Sequence, residues 1–150
     1  DVLISRGFAV DVADIDGETP LIAAIRANAL DCFHLLLNAS ASPMQSNLIG
    51  QTPLHIACGS QSSKERIEVV KRLVRIDHVD VNRPGPGGRT PLHALTGHNF
   101  PSTEIARILL NAGADPHIKD TFGKSAIDYA EEKGHEEIAD LLRRAGGMAR

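Results

Sequence analysis

Two histidine–cysteine pairs are the residues of this 150-residue chain that are best suited to chemistry. His55 and Cys58 lie one helical turn apart, and His34 follows Cys32 by two positions, so each pair suggests a metal site or an activated thiol. The rest of such a site is missing, because the sequence contains no Cys-x-x-Cys pair and no His-Glu-x-x-His motif. We therefore interpret both cysteines as small buried thiols that form no disulfide.

A glycine-rich segment, Pro-Gly-Pro-Gly-Gly at residues 84–88, is the other candidate for chemistry, since glycine-rich loops can cradle phosphate groups. It contains no lysine, no buried strand precedes it, and it leads directly into Thr90-Pro91, so it predicts a hairpin turn instead. The sequence also lacks a Gly-x-Ser-x-Gly nucleophile motif. We expect no catalytic residue, no metal ligand, no cofactor and no small-molecule substrate.

The elements that carry these residues are set by a repeated Thr-Pro-Leu motif. It follows a glycine three times and returns in a weaker form at residues 123–127. The leading glycines are Gly17, Gly50, Gly88 and Gly123, so they are 33, 38 and 35 residues apart. A period near 33 residues is typical of a helical repeat protein, in which each unit buries its apolar face against the next one.

Each residue of the motif has a structural task. The threonine hydroxyl accepts a hydrogen bond at the start of a helix, and the proline after it fits the first turn because it needs no N–H there. The glycine favours the left-handed backbone of a tight turn. Apolar residues one turn apart predict a second helix in each unit. These residues are Phe33 with Leu36, Val70 with Leu73, Ile105 with Leu109, and Ile138 with Leu142.

With these motifs the chain resembles the ankyrin repeat family over nearly its whole length, most clearly at residues 50–57 and 109–115. The resemblance implies an all-α ankyrin-repeat solenoid of helix-turn-helix units joined by β-hairpin-like turns. It also implies that His55 and His93, which end the Thr-Pro-Leu-His tetrads, form hydrogen bonds to neighbouring turns. Asp128 takes this place in the last copy.

The repeats are expected to form one domain. Its segments are the end of a preceding repeat at 1–13, a repeat at 14–46, repeats with insertions at 47–84 and 85–119, and a C-terminal capping repeat with its tail at 120–150. Gly7 stands in the first segment where Gly113 stands in a later copy, which supports this alignment. The capping repeat exposes many charged residues, as the end of a stack needs.

Three local features are predicted from single residues. Ser62 is expected to cap a second helix together with Glu65, as a capping box. Gly113 is the expected left-handed end of another second helix, and irregular turns are expected at the corresponding Ser40 and Asp77. Residues 146–150 are expected to form a frayed tail.

Composition excludes several classes of partner. The formal net charge is −3, from 16 basic and 19 acidic residues that are interspersed, so no basic block is present to track phosphates and no nucleic-acid binding is expected. No apolar run is long enough to cross a bilayer, so no membrane insertion is expected. Two thiols without a disulfide indicate a reducing compartment, the cytoplasm or the nucleus.

Function is expected on the surface that stacking creates. The resemblance points to the concave face of the family, which combines the turn tips with the exposed side of the first helices, and to a protein or peptide partner. Four apolar residues at the turn tips support this, although the alternative is that some of them cover the neighbouring turn. The predicted partner-binding residues are Ile15, Asp16, Glu18, Arg26, Leu48, Ile49, Gln51, Arg89, His98, Phe122 and Lys124.

Two further positions lead to weaker hypotheses. Phe100 lies in an insertion next to a proline, and we expect it to fold back over the helix ends rather than to contact a partner. Asn82 stands at an exit turn where ankyrin-family proteins are often hydroxylated on asparagine, so the resemblance implies a possible hydroxylation site.

The sequence favours a protein-interaction scaffold and leaves two alternatives open. One is a structural spacer whose concave face binds nothing. The other is a substrate-receptor or inhibitory module that acts through flanking domains.

Overall fold

The computed structural model describes residues 10–148, and in that range it contains eight α-helices and no β-strand. Short helices alternate with longer ones, as expected for helix-turn-helix units. The helices are α1 (Pro20–Arg26), α2 (Leu30–Asn38), α3 (Pro53–Cys58), α4 (Lys64–Val74), α5 (Pro91–Thr96), α6 (Thr103–Asn111), α7 (Ala126–Glu132) and α8 (Glu136–Met148). None of these helices has the length and apolar character required to span a bilayer.

The short helices begin where the repeated motif predicts. Thr19, Thr52, Thr90 and Ser125 have extended backbone angles, and each side-chain oxygen accepts a hydrogen bond from the amide three residues later, over 3.3–3.4 Å. The glycine before each cap has a positive φ between 72° and 95°. The helix starts and the tight turns are therefore confirmed.

The helices form two layers around a continuous core. In one layer α1, α3, α5 and α7 contact each other in order, and in the other α2, α4, α6 and α8 do the same. Each first helix also contacts the second helix of its own unit. The core therefore lies between neighbouring units and has no single centre. Its fully buried side chains include Leu21, Phe33, Leu54, Val70, Leu73, Leu92, Leu95, Ile105, Leu109 and Leu142.

The turns before the short helices are also joined to one another, with one interruption. The amide of Leu48 donates to the carbonyl of Asp16 over 3.0 Å, and the amide of Thr121 donates to the carbonyl of Gly87 over 2.9 Å. Between these two pairs the donor position is occupied by Pro86, which has no N–H. The second and third turns therefore lack the backbone bond that joins the other neighbours.

Several local predictions were wrong in detail. Ser63, not Ser62, caps α4, because the helix begins at Lys64 and Ser63 Oγ accepts from the amide of Arg66 over 3.1 Å. Of the two turns expected to be irregular, only Ser40 is left-handed, with a φ of 69°. The chain is helical through Met148, so residues 146–148 continue α8 rather than forming a tail.

Some expectations have no test in the structure. The proposed end of a preceding repeat falls mostly on residues 1–9, which lie outside the described range. The boundaries assigned between repeats stay predictions. Each pair of helices lies within one assigned repeat.

The cap of α3 gives a direct test of the helix starts. Thr52→Ala is expected to lower the free energy of unfolding by about 1 kcal/mol, because Thr52 is buried and its hydroxyl caps the helix. The matched change Thr121→Ala removes an exposed turn-tip hydroxyl and is expected to change stability little. Urea unfolding of both variants measures the difference, and equal losses would contradict the assigned helix starts.

Candidate functional site

Two buried histidines connect the capped helices α3 and α5 to the turn of the next repeat. The backbone amide of Thr52 donates to Nδ1 of His55 over 3.2 Å, and Nε2 of His55 lies 2.9 Å from the carbonyl oxygen of Arg89. His93 repeats this arrangement with the amide of Thr90 and the carbonyl of Lys124, over 3.0 and 2.9 Å. Both ring nitrogens of each histidine are therefore engaged, which confirms their structural role.

The contacts of His55 define its protonation state. Nδ1 accepts from an amide and so carries no proton, whereas Nε2 donates its proton to the Arg89 carbonyl. Burial lowers the pKa of His55, which agrees with a neutral ring. Among the described residues no group of three or more histidine, cysteine or acidic side chains is placed to hold a metal ion.

The two cysteines differ in their surroundings. Cys58 is completely buried in α3, and burial raises the pKa of its thiol far above the usual range, so the thiolate is strongly disfavoured. Cys32 is exposed, which contradicts the prediction of two buried thiols. It lies with Leu35 and Pro20 on a flank of the first helix pair that no described helix covers.

A surface depression crosses three repeats on the side of the turns and first helices. It is bounded by the ends of α1, α3 and α5 and by the turns that lead into α3 and α5. Four of the predicted partner-binding residues line it, and small or polar residues form much of the remaining wall. The four are Arg26, Gln51, Arg89 and His98.

The first-repeat side of the depression is held by a polar network. Nε and Nη2 of Arg26 donate to the two carboxylate oxygens of Glu18, both over 2.8 Å, and the Arg26 bond lowers the pKa of Glu18. Asn47 donates to Gln51 over 3.0 Å and to Glu18 over 3.3 Å. The predicted residues Glu18, Arg26 and Gln51 therefore orient one another across two repeats.

A second cluster orients Arg89 from the last repeat. Nη2 of Arg89 donates to the Tyr129 hydroxyl over 3.1 Å, and its guanidinium lies 5.0 Å from the centre of that ring. Tyr129 donates in turn to Asp120, whose carboxylate lies 3.6 Å from Nε of Arg89. Lys124 forms an ion pair with Glu132 over 2.7 Å.

Asp120 is the residue of this second cluster whose carboxylate stays negatively charged. Burial works to raise its pKa, but the Tyr129 hydroxyl and the amides of Lys124 and Phe122 donate to its carboxylate and hold the pKa at about 2. Asp120 and Tyr129 are not among the site residues predicted from the sequence. An aspartate three residues before the turn glycine was the available signal, since Asp14 has the same place and accepts turn amides in the same way.

The apolar turn tips are exposed but lie outside the depression. The exposed fractions of Ile15, Leu48, Ile49 and Phe122 are 92%, 76%, 64% and 73%. Leu48 also contacts the neighbouring turn, since a Cβ added at Gly17 would lie 2.9 Å from its Cγ. The alternative that a tip residue covers its neighbour therefore applies in part to Leu48.

Phe100 does not fold back over the helix ends, so that prediction was wrong. Its side chain is 76% exposed. The loop is held by His98 instead, whose Nδ1 accepts from the Phe100 amide over 3.2 Å and whose carbonyl accepts from His135 over 3.0 Å. Because these bonds position the loop, it does not depend on burying the aromatic ring.

Asn82 links its own exit turn to the next one. Its Nδ2 donates to the carbonyl of Gly113 over 3.1 Å, and its Oδ1 accepts from the amide of Asp115 over 2.8 Å. These contacts give the side chain a structural role. Hydroxylation at Asn82 stays a prediction.

Comparison with known proteins identifies the family. The model of ankyrin repeats, in three copies, matches residues 1–83 and 60–148. The chain belongs to the ankyrin repeat family. Ankyrin repeats are in general protein–protein interaction modules, and proteins built from them are typically not enzymes. The coarse functional prediction of a protein-binding module is thereby supported, whereas the partner and the binding face are open.

The relatives of this ankyrin chain differ widely in length, so the chain covers very different shares of them. It is 30% identical over 147 residues to the putative ankyrin repeat protein YahD of Escherichia coli, covering 96% of this chain and 71% of that one. It is 33% identical over 147 residues to the human transient receptor potential cation channel subfamily A member 1, covering 95% of this chain but 12% of the channel. It is 27% identical over 132 residues to bovine cyclin-dependent kinase 4 inhibitor B, covering 87% of this chain and 95% of the inhibitor.

The neutral ring of His55 leads to a prediction about pH. Because its pKa is lowered in the folded chain, the unfolded chain binds more protons once the pH falls below about 6.5, so the free energy of unfolding decreases there. The loss is at most about 1.4 kcal/mol per pH unit for one such group. We expect His55→Gln, which keeps an acceptor for the Thr52 amide but cannot titrate, to flatten this dependence.

Urea unfolding between about pH 7.5 and 5 measures the effect. The control is His78→Gln, which replaces an exposed histidine and is expected to retain the pH dependence of the original chain. An unchanged slope in His55→Gln would show that protonation of His55 is not coupled to unfolding.

Proposed function

We propose that this ankyrin chain recognises a segment of a partner protein in the depression that crosses its first three repeats. One observation carries the proposal: side chains from three successive units, Arg26, Gln51 and Arg89, meet in one continuous concavity. Each of them is oriented by hydrogen bonds or an ion pair, so little side-chain freedom remains to be lost on binding.

The exposed tips extend the proposed surface. Leu48 and Ile49 add large apolar side chains on the turn that leads into α3 and borders the depression, and Ile15 and Phe122 lie on the turns that lead into α1 and α7. Exposed apolar residues next to polar groups are typical of the interfaces on which proteins meet. They also favour recognition over the alternative of a spacer with an inert concave face.

The bovine relative supports the same class of function. Its name describes an inhibitor of a protein kinase, and this chain aligns with 95% of its length. A domain of this size in the family can therefore act on another protein. The alternative of an inhibitory or substrate-receptor module that works through flanking domains is compatible with the same recognition surface.

The proposal is tested by selecting peptides and then obstructing the depression. Short random peptides displayed on phage are selected on the unmodified chain, and the affinity of an enriched peptide is measured by fluorescence anisotropy. Ala94 lies in the wall of the depression, and the neighbouring Gly59 leaves room beside it. Ala94→Trp is therefore expected to weaken binding by about tenfold or more, because the indole occupies the peptide's place.

The matched control places the same side chain on the second-helix layer. Arg107 is exposed on α6 and forms no hydrogen bond or ion pair with another described side chain, so Arg107→Trp is expected to leave the affinity within about twofold. Circular dichroism and thermal unfolding establish that both variants are folded. The proposal is wrong if Arg107→Trp abolishes binding and Ala94→Trp does not, or if the chain enriches no peptide.

A further inference from the structure

We propose that the depression recognises carboxylate groups, so that the partner segment is an acidic peptide. This inference rests on the proposed function and adds the chemistry of the partner. Its first support is the charge of the wall: Arg26 and Arg89 are the charged side chains that line the depression, and no aspartate or glutamate lines it. An acidic segment is therefore electrostatically complementary to the site, although the whole chain carries a net charge of −3.

Both arginines keep donors for an incoming carboxylate. Arg26 uses Nε and Nη2 on Glu18, and Arg89 uses Nε and Nη2 on Asp120 and Tyr129. Nη1 of each guanidinium has no acceptor among the described residues, and the two side chains are 47% and 45% exposed. Since the planar guanidinium is already held on one side, its free edge is oriented for binding a carboxylate.

A buried arginine lies near Arg26. Arg66, in the first turn of α4, is only 4% exposed, and its Nε and Nη1 have no hydrogen-bond acceptor among the described residues. Burial is the main cause that lowers its pKa, and the nearby positive charge of Arg26 lowers it further. A guanidinium without a counter-ion is unfavourable in the free protein, and a carboxylate bound near Arg26 would offset part of that cost.

Arg66 has this place because of the insertion in its repeat. Helix α4 has 11 residues, whereas α2 and α6 have nine, and the cap at Ser63 puts Arg66 in the first helical turn. There it lies near Cys58 at the end of α3, whose buried thiol is neutral and supplies no counter-charge, and near Arg26. A third cation therefore lies close to one of the two arginines of the wall.

A peptide fits these charges better than a nucleic acid does. Glu18 and Asp120 already pair with Arg26 and Arg89, so the depression offers two separate guanidinium edges and no track of unpaired cations. A continuous phosphate backbone needs a longer track of unpaired cations. Separate carboxylates on a peptide can instead be placed at Arg26 and Arg89 alone.

The test uses the peptides selected on the unmodified chain. Their sequences are expected to be enriched in aspartate and glutamate relative to the unselected library. Replacing the acidic residues of one such peptide by glutamine and asparagine is expected to weaken its binding by about tenfold or more, and binding is expected to weaken with added salt.

Charge reversal on the protein supplies the matched comparison. Arg26→Glu with Arg89→Glu is expected to abolish binding of the acidic peptide and to favour a version with lysine in place of its acids. The control pair, Arg75→Glu with Arg107→Glu, makes the same change in net charge on the second-helix side, where both arginines are exposed. It is expected to keep the preference for the acidic peptide.

Arg66→Met tests the buried charge separately. Methionine keeps an unbranched apolar chain at the site, so the fold is expected to remain, as circular dichroism can verify. Affinity for the acidic peptide is expected to fall about threefold or more, and affinity for the amide version to change less. Equal changes for both peptides would show that Arg66 contributes no charge recognition.

The outcomes separate this inference from the proposed function. If Ala94→Trp blocks a peptide whose amide version binds equally well, the depression is a binding site but the acidic preference is wrong. If Ala94→Trp does not block binding, both proposals fail. If a single-stranded oligodeoxynucleotide binds more tightly than the acidic peptide at the same salt concentration, the partner is a nucleic acid and the inference is overturned.

Discussion

Hydrogen bonds from two buried histidines to the carbonyl of the next turn join the last three repeats. His55 receives the amide of its own helix cap at Nδ1 and donates through Nε2 to the following turn, and His93 does the same one unit later. Because the acceptor carbonyl of His55 belongs to Arg89, this bond also places one wall of the depression relative to the other. A neutral, buried imidazole is well suited to this task, since it donates on one side and accepts on the other.

The fold could be predicted from the sequence because the motifs that specify its turns and helices are local. The cap at Thr52, the proline after it and the turn glycine at Gly50 each act within a few residues, so a single copy of the motif already predicts a turn and a helix. The predictions were wrong where contacts between residues far apart in the sequence determine the local structure. Ser62 was predicted to cap α4, but the helix begins at Lys64 and Ser63 is its cap. The exposure of Phe100 follows from the bonds that His98 makes to its loop and to His135, which the sequence alone does not reveal.

The candidate site was predictable as a face but not as a set of contacts. The positions implied by the ankyrin resemblance include Arg26, Gln51, Arg89 and His98, which line a common depression. The resemblance did not reveal that Glu18 and Lys124, which were predicted on the same surface, form ion pairs with Arg26 and Glu132. Nor did it reveal Arg66, because an arginine in a charged helical segment is normally solvated, and its burial depends on the length of an insertion.

In the proposed complex the partner binds across three repeats on the side of the turns and first helices. Two-dimensional amide NMR of the chain, titrated with a selected peptide, tests this binding face without any mutation. We expect the largest shift changes at residues of the depression, among them Arg26, Gln51, Ser60, Arg89 and His98, with smaller changes along the second helices. Shift changes concentrated on α2, α4 and α6, with those five amides unaffected, would contradict it.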